Sequence, residues 1–170
     1  RFTFYPVQDR DAHGEALEHL RRDERAEERD VAIEIEVDTG TPDLYVDQDR
    51  MAQVLGNLIV NAEHALQPMG TEGRFTISTR MSRLNKEVVV DVVDNGPGIP
   101  EEHLSKIFDP FFTTKKTGKG TGLGLSTSYG IIKENGGRIT IKETSPQGTT
   151  FLIELPLYTP DENTSAPKDK

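Results

Sequence analysis

The sequence predicts an α/β fold. We expect a two-layer sandwich in which a mixed β-sheet is covered on one face by three α-helices, near residues 11–29, 47–66 and 121–134. Three observations carry this. Apolar and polar residues alternate over 31–37, and 87–93 is almost continuous in valine, the patterns of a half-buried and a central, buried strand. Met51, Val54, Leu55, Leu58, Ile59, Ala62 and Leu66 recur at helical spacing. Two glycine-rich segments, 94–100 and 118–126, flank a long stretch without period. Helices with one apolar stripe each need a common sheet to bury it.

Residues 1–10 show no clear period. Residues 11–29 read as a polar helix with Ala16, Leu17 and Leu20 as its modest apolar stripe. Val31, Ile33, Ile35 and Val37 face one side of a strand. A turn-rich stretch leads to a short strand at Leu44–Val46, and Asp47 is an N-cap for the next helix. Pro68 and Gly70 end that helix near Leu66. Strands at 74–82 and 87–93 form a hairpin turning at Asn85-Lys86. A short helix is expected at 101–106, before the knot Phe108-Asp109-Pro110-Phe111-Phe112. The helix over 121–134 is stopped by Asn135-Gly136-Gly137. Strands at 138–143 and 149–155 close the core, and the Pro-, Lys- and Asp-rich residues 157–170 read as a disordered tail.

At 170 residues the chain is one domain, long enough for a real core. It has no cysteine, so disulfides and thiolate metal sites are excluded. The net charge of −9 argues against a nucleic-acid partner. No apolar run is long enough to cross a bilayer, so we expect no direct membrane contact and a cytoplasmic location. The first residue is not Met, so the chain reads as a fragment of a longer protein that could itself be membrane-anchored.

The glycine segments carry the chemistry. Asp94, just after the valine strand, can accept a hydrogen bond from a purine amino group. Its blander reading is a turn, since Asn95-Gly96 is a hairpin signal, but Gly96-Pro97-Gly98-Ile99-Pro100 leads into the long loop and not into a complementary strand. The run Gly118-Lys119-Gly120-Thr121-Gly122-Leu123-Gly124-Leu125-Ser126 opens a helix, where free backbone amides cradle phosphate. It is neither a Walker A loop nor a dinucleotide fingerprint. Lys115, Lys116 and Lys119 stand beside it as cations for phosphates. Asn57 and Asn61 are four apart, on one helix face, and an amide oxygen is a good hard ligand for Mg²⁺. A polar helix edge is the alternative reading of that pair. His64 falls on nearly the same face as Asn61, within reach of a phosphate, and with Asn57 is a catalytic candidate.

In order, these segments resemble the ATP-binding catalytic domain of bacterial sensor histidine kinases, in the gyrase–chaperone–kinase–MutL superfamily. The likeness covers residues 31–156. It rests on an N box at 57–62, a first glycine box at 94–100, an F box at 107–115, a second glycine box at 120–126 and the Gly148-Thr149 pair. The F box and the Asn-Ala-Glu-His-Ala ending look most like the nitrogen-regulation subgroup. The resemblance implies a Bergerat-type fold, with ATP and Mg²⁺ as ligands. Asn61 would hold the metal and Asn57 would orient the triphosphate. Asp94 would bind the adenine amine, with Gly96 in its loop, Gly98 and Thr149 beside the ring and Ile99 and the strand residues as apolar walls. Gly120, Thr121, Gly122, Leu123, Gly124 and Leu125 would line the phosphates. Residues 99–120 would form a flexible ATP lid, anchored by Phe108, Phe111 and Phe112.

The same resemblance implies that residues 1–30 lead from the kinase's own dimerisation and phosphoacceptor domain, and that a response regulator is served through the full-length kinase. Neither His13-Gly14 nor His19-Leu20 fits the acceptor pattern, so the chain should not autophosphorylate alone. Three other readings stay open: an ATP-hydrolysing clamp, a serine kinase of the same superfamily, and a non-catalytic ATP-sensing module. The clamps place a glutamate base one turn before the metal asparagine, where this chain has Asn57.

Overall fold

A computed structural model describes residues 32–157, apart from 39, 43, 45 and 116–119. The expected helix over 11–29 and Lys116 and Lys119 lie outside the described residues. Five strands form one sheet: β1 (Ala32–Val37), β2 (Arg74–Ser82), β3 (Glu87–Asp94), β4 (Arg138–Ser145) and β5 (Gly148–Pro156). Their order across the sheet is β1-β2-β3-β5-β4. Only β1 and β2 run parallel, so the sheet is mixed, as expected. The valine strand β3 sits in the middle.

Side-chain alternation sorts the sheet into two faces. Val88, Val90 and Val92 pair across with Ile77 and with Leu155, Ile153 and Phe151, and all are buried under helices. Helix α1 (Gln48–Leu66) is capped by Asp47, whose carboxylate accepts from Arg50 N–H at 3.0 Å. It lays Met51, Val54, Leu58, Ala62 and Leu66 onto this face. Each of the four larger side chains, Met51, Val54, Leu58 and Leu66, stabilises the fold by about 1.5–3 kcal/mol when fully buried. The helix does not stop outright at Pro68. It tightens into a 3₁₀ segment, Gln67–Glu72, broken at Gly70 with φ +54°. After a single turn of helix, α2 (Glu101–Leu104), helix α3 (Gly124–Glu134) adds Ile131 and Ile132 to the same core.

Three boundaries differ from expectation, for local reasons. Leu44 makes a bridge, and Val46 is outside any strand. The short helix ends at Leu104, two residues early, and Ile107 instead turns into the core. Helix α3 starts at Gly124, because Gly122 has φ +67°, which an α-helical turn cannot hold. At the other end Leu157 N–H donates to the Lys86 carbonyl at 2.9 Å, so the chain stays tied to the β2–β3 hairpin through Leu157. The rest of the expected tail lies outside the described residues.

Candidate nucleotide site

Alternation along β3 brings Asp94 onto the helix-facing side, at the end of the strand, directly opposite Thr149 of β5. Gly96 N–H donates to Asp94 Oδ1 at 2.9 Å, and a Cβ on Gly96 would lie 2.8 Å from that same oxygen. Glycine is what lets the loop fold over the carboxylate. Burial raises the Asp94 carboxyl above the ordinary aspartate value, against the backbone amides of Gly96 and Thr149, which pull the other way. No cation pairs with it among the described residues.

The loop continues along the β4–β5 hairpin. Gly98 has φ +78°, and a Cβ there would lie 2.1 Å from the Ser145 carbonyl oxygen, so only glycine fits. Ile99 N–H donates to Thr144 Oγ1 at 2.8 Å, and Thr144 Oγ1 lies 3.3 Å from Thr149 Oγ1.

Helix α1 forms the facing wall. Ala65 and Leu66 touch the Gly96 turn, whereas Asn57 touches the start of α3. Those contacts are eight residues apart, about 12 Å of helix. Between them opens a cavity of about 860 Å³, within the usual range of small-molecule sites (about 300–1,000 Å³). It is lined at one end by Asp94, Gly98, Ile99 and Thr149. Along α1 it is lined by Asn57, Asn61 and His64, and beside α3 by Lys115, Gly120, Thr121, Gly122, Gly124 and Leu125. Gly96 and Leu123 do not line it. Gly96 acts through Asp94, and Leu123 is partly exposed to solvent.

Individual side chains take sharper roles than the spacing revealed. Asn57 Nδ2 donates to the Gly124 carbonyl at 3.0 Å and to Ser128 Oγ at 3.1 Å. Its nitrogen is therefore committed to holding the second glycine segment against α1. Asn57 acts on that segment as a positioning residue, leaving its oxygen for the cavity. Asn61 Oδ1 lies 3.4 Å from Lys115 Nζ. Burial lowers the Lys115 pKa, and the charge of Glu63 partly raises it again. His64 Nδ1 lies 2.5 Å from the Val60 carbonyl, which makes Nδ1 the donor and leaves Nε2 as the free ring nitrogen.

The Phe knot divides. Phe108 and Phe112 pack against the core beside buried Ile107, but the Phe111 side chain is 73% exposed. Phe111 anchors through its backbone instead. Its N–H donates to the Gly122 carbonyl at 2.9 Å, with φ +67° at both residues. A Cβ on Gly122 would lie 2.4 Å from the Phe111 carbonyl carbon. The first half of the 99–120 segment is thus fastened at Ile99, Ile107, Phe108 and Phe112.

Sequence reasoning missed Ser128 and Thr144, and it expected apolar walls from the strands without naming their members, which are Phe75, Val92 and Phe151. Those three had a signal. They share the alternation that puts Asp94 and Thr149 on the helix-facing side.

Residues 46–159 match the family described as histidine kinase-, DNA gyrase B-, and HSP90-like ATPase. The chain is 46% identical over 140 residues to the sensor kinase CckA of Brucella abortus (strain 2308), covering 73% of this chain and 14% of CckA. It is 36% identical over 132 residues to the sensor histidine kinase ZraS of Escherichia coli (strain K12), covering 78% of this chain and 27% of ZraS. The nitrogen-regulation likeness is looser, at 35% over 138 residues with NtrB of Vibrio alginolyticus, 76% of this chain and 38% of NtrB. Among solved structures, the catalytic domain of histidine kinase ThkA superposes with a TM-score of 0.65 at 37% identity, covering 81% of this chain and 86% of that one. Full-length ShkA in complex with AMPPNP superposes with a TM-score of 0.70 at 26% identity, covering 94% of this chain and 32% of that one. The chain spans well under half the length of the curated relatives it matches. It belongs to the histidine kinase-, DNA gyrase B-, and HSP90-like ATPase family, as a catalytic ATP-binding domain of the sensor histidine kinase kind.

Proposed function

We propose that this chain presents ATP for transfer of its γ-phosphoryl group to a histidine on the kinase's own dimerisation domain, from which a response regulator is served. One observation carries the reading. A single cavity offers an unpaired carboxylate, Asp94, at the sheet end and an amide oxygen beside an ammonium, Asn61 with Lys115, along α1. That polarity suits a ligand with an amino-bearing base at one end and phosphates at the other.

The residues fit Mg²⁺. Asn61 Oδ1 is a hard oxygen already facing a cation, and among the described residues no cluster of three His, Asp or Glu could cage a bare ion. Such a site suits an ion that keeps water and phosphate ligands and takes one protein oxygen. When bound it would neutralise charge on the transferring phosphoryl group.

The chain's own residues bind and orient. Asp94 accepts from the base, the glycine segment pinned by Asn57 offers backbone amides to phosphate, and Lys115 and His64 face the same space. The segment up to Phe112 is fastened to the body and frames one side of the site. Catalysis then rests on placing the γ-phosphoryl group in line with an incoming imidazole. The position one turn before Asn61 holds an amide whose nitrogen is already bonded, and no carboxylate to activate water. This favours the kinase over a hydrolysing clamp.

The test is phosphotransfer from ATP to a separately made acceptor domain. Wild type should label it, and Asn61→Ala should abolish labelling while retaining some nucleotide binding. Wild-type rates in the variant would remove Asn61 from the site. Phosphate release by wild type that is equally fast without the acceptor domain would favour the clamp.

A further inference from the structure

Lys115 stands where the reading above puts the metal. Three contacts hold it there. Its backbone N–H donates to Thr113 Oγ1 at 3.1 Å. Its stem lies against Gly120, where a Cβ would sit 3.0 Å from Lys115 Cδ and 3.3 Å from its Cβ, so the bare glycine makes room for it. Its Nζ reaches Asn61 Oδ1 at 3.4 Å, a long hydrogen bond across 54 residues of sequence. The residue is half-buried and lines the cavity.

An amide oxygen with an ammonium on its cavity side cannot at the same time ligate a divalent ion, because the two cations repel strongly at that range. An ammonium at this place is itself a phosphate partner, with three donors and no acceptor. We propose that Lys115 is the resident cation of the site. Without metal it holds the Asn61 oxygen and receives the phosphates of an incoming nucleotide. Metal-loaded nucleotide displaces it from Asn61. Lys115 therefore sets how strongly nucleotide binding depends on metal. This rests on the assignment of Asn61 to the metal made above.

The experiment is calorimetric titration of the 170-residue chain with ATP in excess Mg²⁺ and with ATP in EDTA, for wild type, Lys115→Met, Lys115→Arg and Asn61→Ala. The readout is the ratio of the two dissociation constants. Lys115→Met keeps the length of the stem and removes the charge. Loss of one charge-assisted contact should weaken metal-free binding about tenfold or more, with little loss in Mg²⁺, so the ratio rises about tenfold. Lys115→Arg keeps a cation and should hold the ratio near wild type. A Lys115→Met ratio equal to wild type overturns the proposal, whether both affinities fall together or neither does. Asn61→Ala separates the two ideas. If it leaves the Mg²⁺ dependence of wild type intact, the metal assignment itself fails. If it removes that dependence while Lys115→Met leaves the ratio unchanged, only the resident-cation proposal fails.

Discussion

Strand β3 carries two aspartates three residues apart, on opposite faces of the sheet, and their surroundings differ in kind. Asp91 lies on the face away from the helices with its side chain only 12% exposed, and it accepts from Arg80 Nε at 3.1 Å and Lys142 Nζ at 3.0 Å. The same face carries Arg138 Nε against Glu154 Oε2 at 2.7 Å. Val89 is buried on this face, with Arg80 and Glu154 directly opposite it on the neighbouring strands. Asp94 lies on the other face, in the cavity, with backbone amides but no cation among the described residues. One strand thus carries a carboxylate whose charge is balanced internally and one whose charge is left for something else. A half-buried carboxylate in a cleft with no cation among the described residues is costly for the fold alone, which is why it marks a ligand site.

The largest effect should come from Asp94. Asp94→Asn should weaken ATP binding by about 1.5–3 kcal/mol, roughly 10- to 150-fold, by removing one charge-assisted contact. GTP should bind poorly to wild type, since its base presents an oxygen where adenine presents an amine. Equal calorimetric affinities for ATP and GTP would break the comparison at this end. The pH dependence follows from burial raising the Asp94 pKa. The ionised form accepts from the base, so affinity falls as pH drops through that raised pKa, at a higher pH than for an ordinary aspartate. Stability moves the opposite way. Protonation favours the fold when the folded pKa lies above the unfolded one, so the strain from this carboxylate is greatest above the folded pKa and is relieved on acidification. Asp94→Asn should flatten the affinity profile and remove this relief of stability on acidification. Titrations of both proteins across the acid range check this.

Asp91 should show the converse, with a smaller effect. Asp91→Asn weakens two ion pairs whose cations are each about half exposed, at 49% and 51%. The cost should be about 1 kcal/mol or less of stability, with ATP affinity unchanged. Urea denaturation and the same calorimetric titration measure the two quantities. A loss of ATP affinity comparable to that of Asp94→Asn would show that the faces are not independent.

Much of this division was legible in the sequence. The valine run implied a central strand, and period two then places Asp94 on the helix-facing side with Val92. The α1 stripe implied which helix face is buried, and therefore that Asn57 and Asn61 border the cavity. What the sequence hid was side-chain commitment across long separations. Asn57 spends its nitrogen on Gly124 and Ser128, 67 and 71 residues away, and no local pattern signals that. Lys115 was one of three equivalent lysines until the Gly120 contact and the Asn61 oxygen distinguished it. Composition could not tell which phenylalanine of the knot faces outward, because Phe111 is turned by the left-handed backbone it shares with Gly122. Helix α3 was read three residues too long for the same reason.

The smallest effect concerns Glu154, and it sharpens the comparison by its sign. The hydrogen bond from Arg138 is the main reason the Glu154 carboxyl lies below the ordinary glutamate value, and burial works against it. A depressed folded pKa means that the pair contributes stability above the unfolded pKa and loses it as pH falls through the folded pKa. Acidification should therefore destabilise the protein through Glu154 while it relieves strain through Asp94. Arg138 is exposed, so solvent screens the pair and its share is small. Melting temperature against pH is the measurement, on wild type, Glu154→Gln and Asp94→Asn. Glu154→Gln should make the acid-side decline shallower, and Asp94→Asn should make it steeper. If both variants shift the decline in the same direction, the two faces do not carry opposite electrostatic roles, and Asp94 is a structural carboxylate like its neighbour.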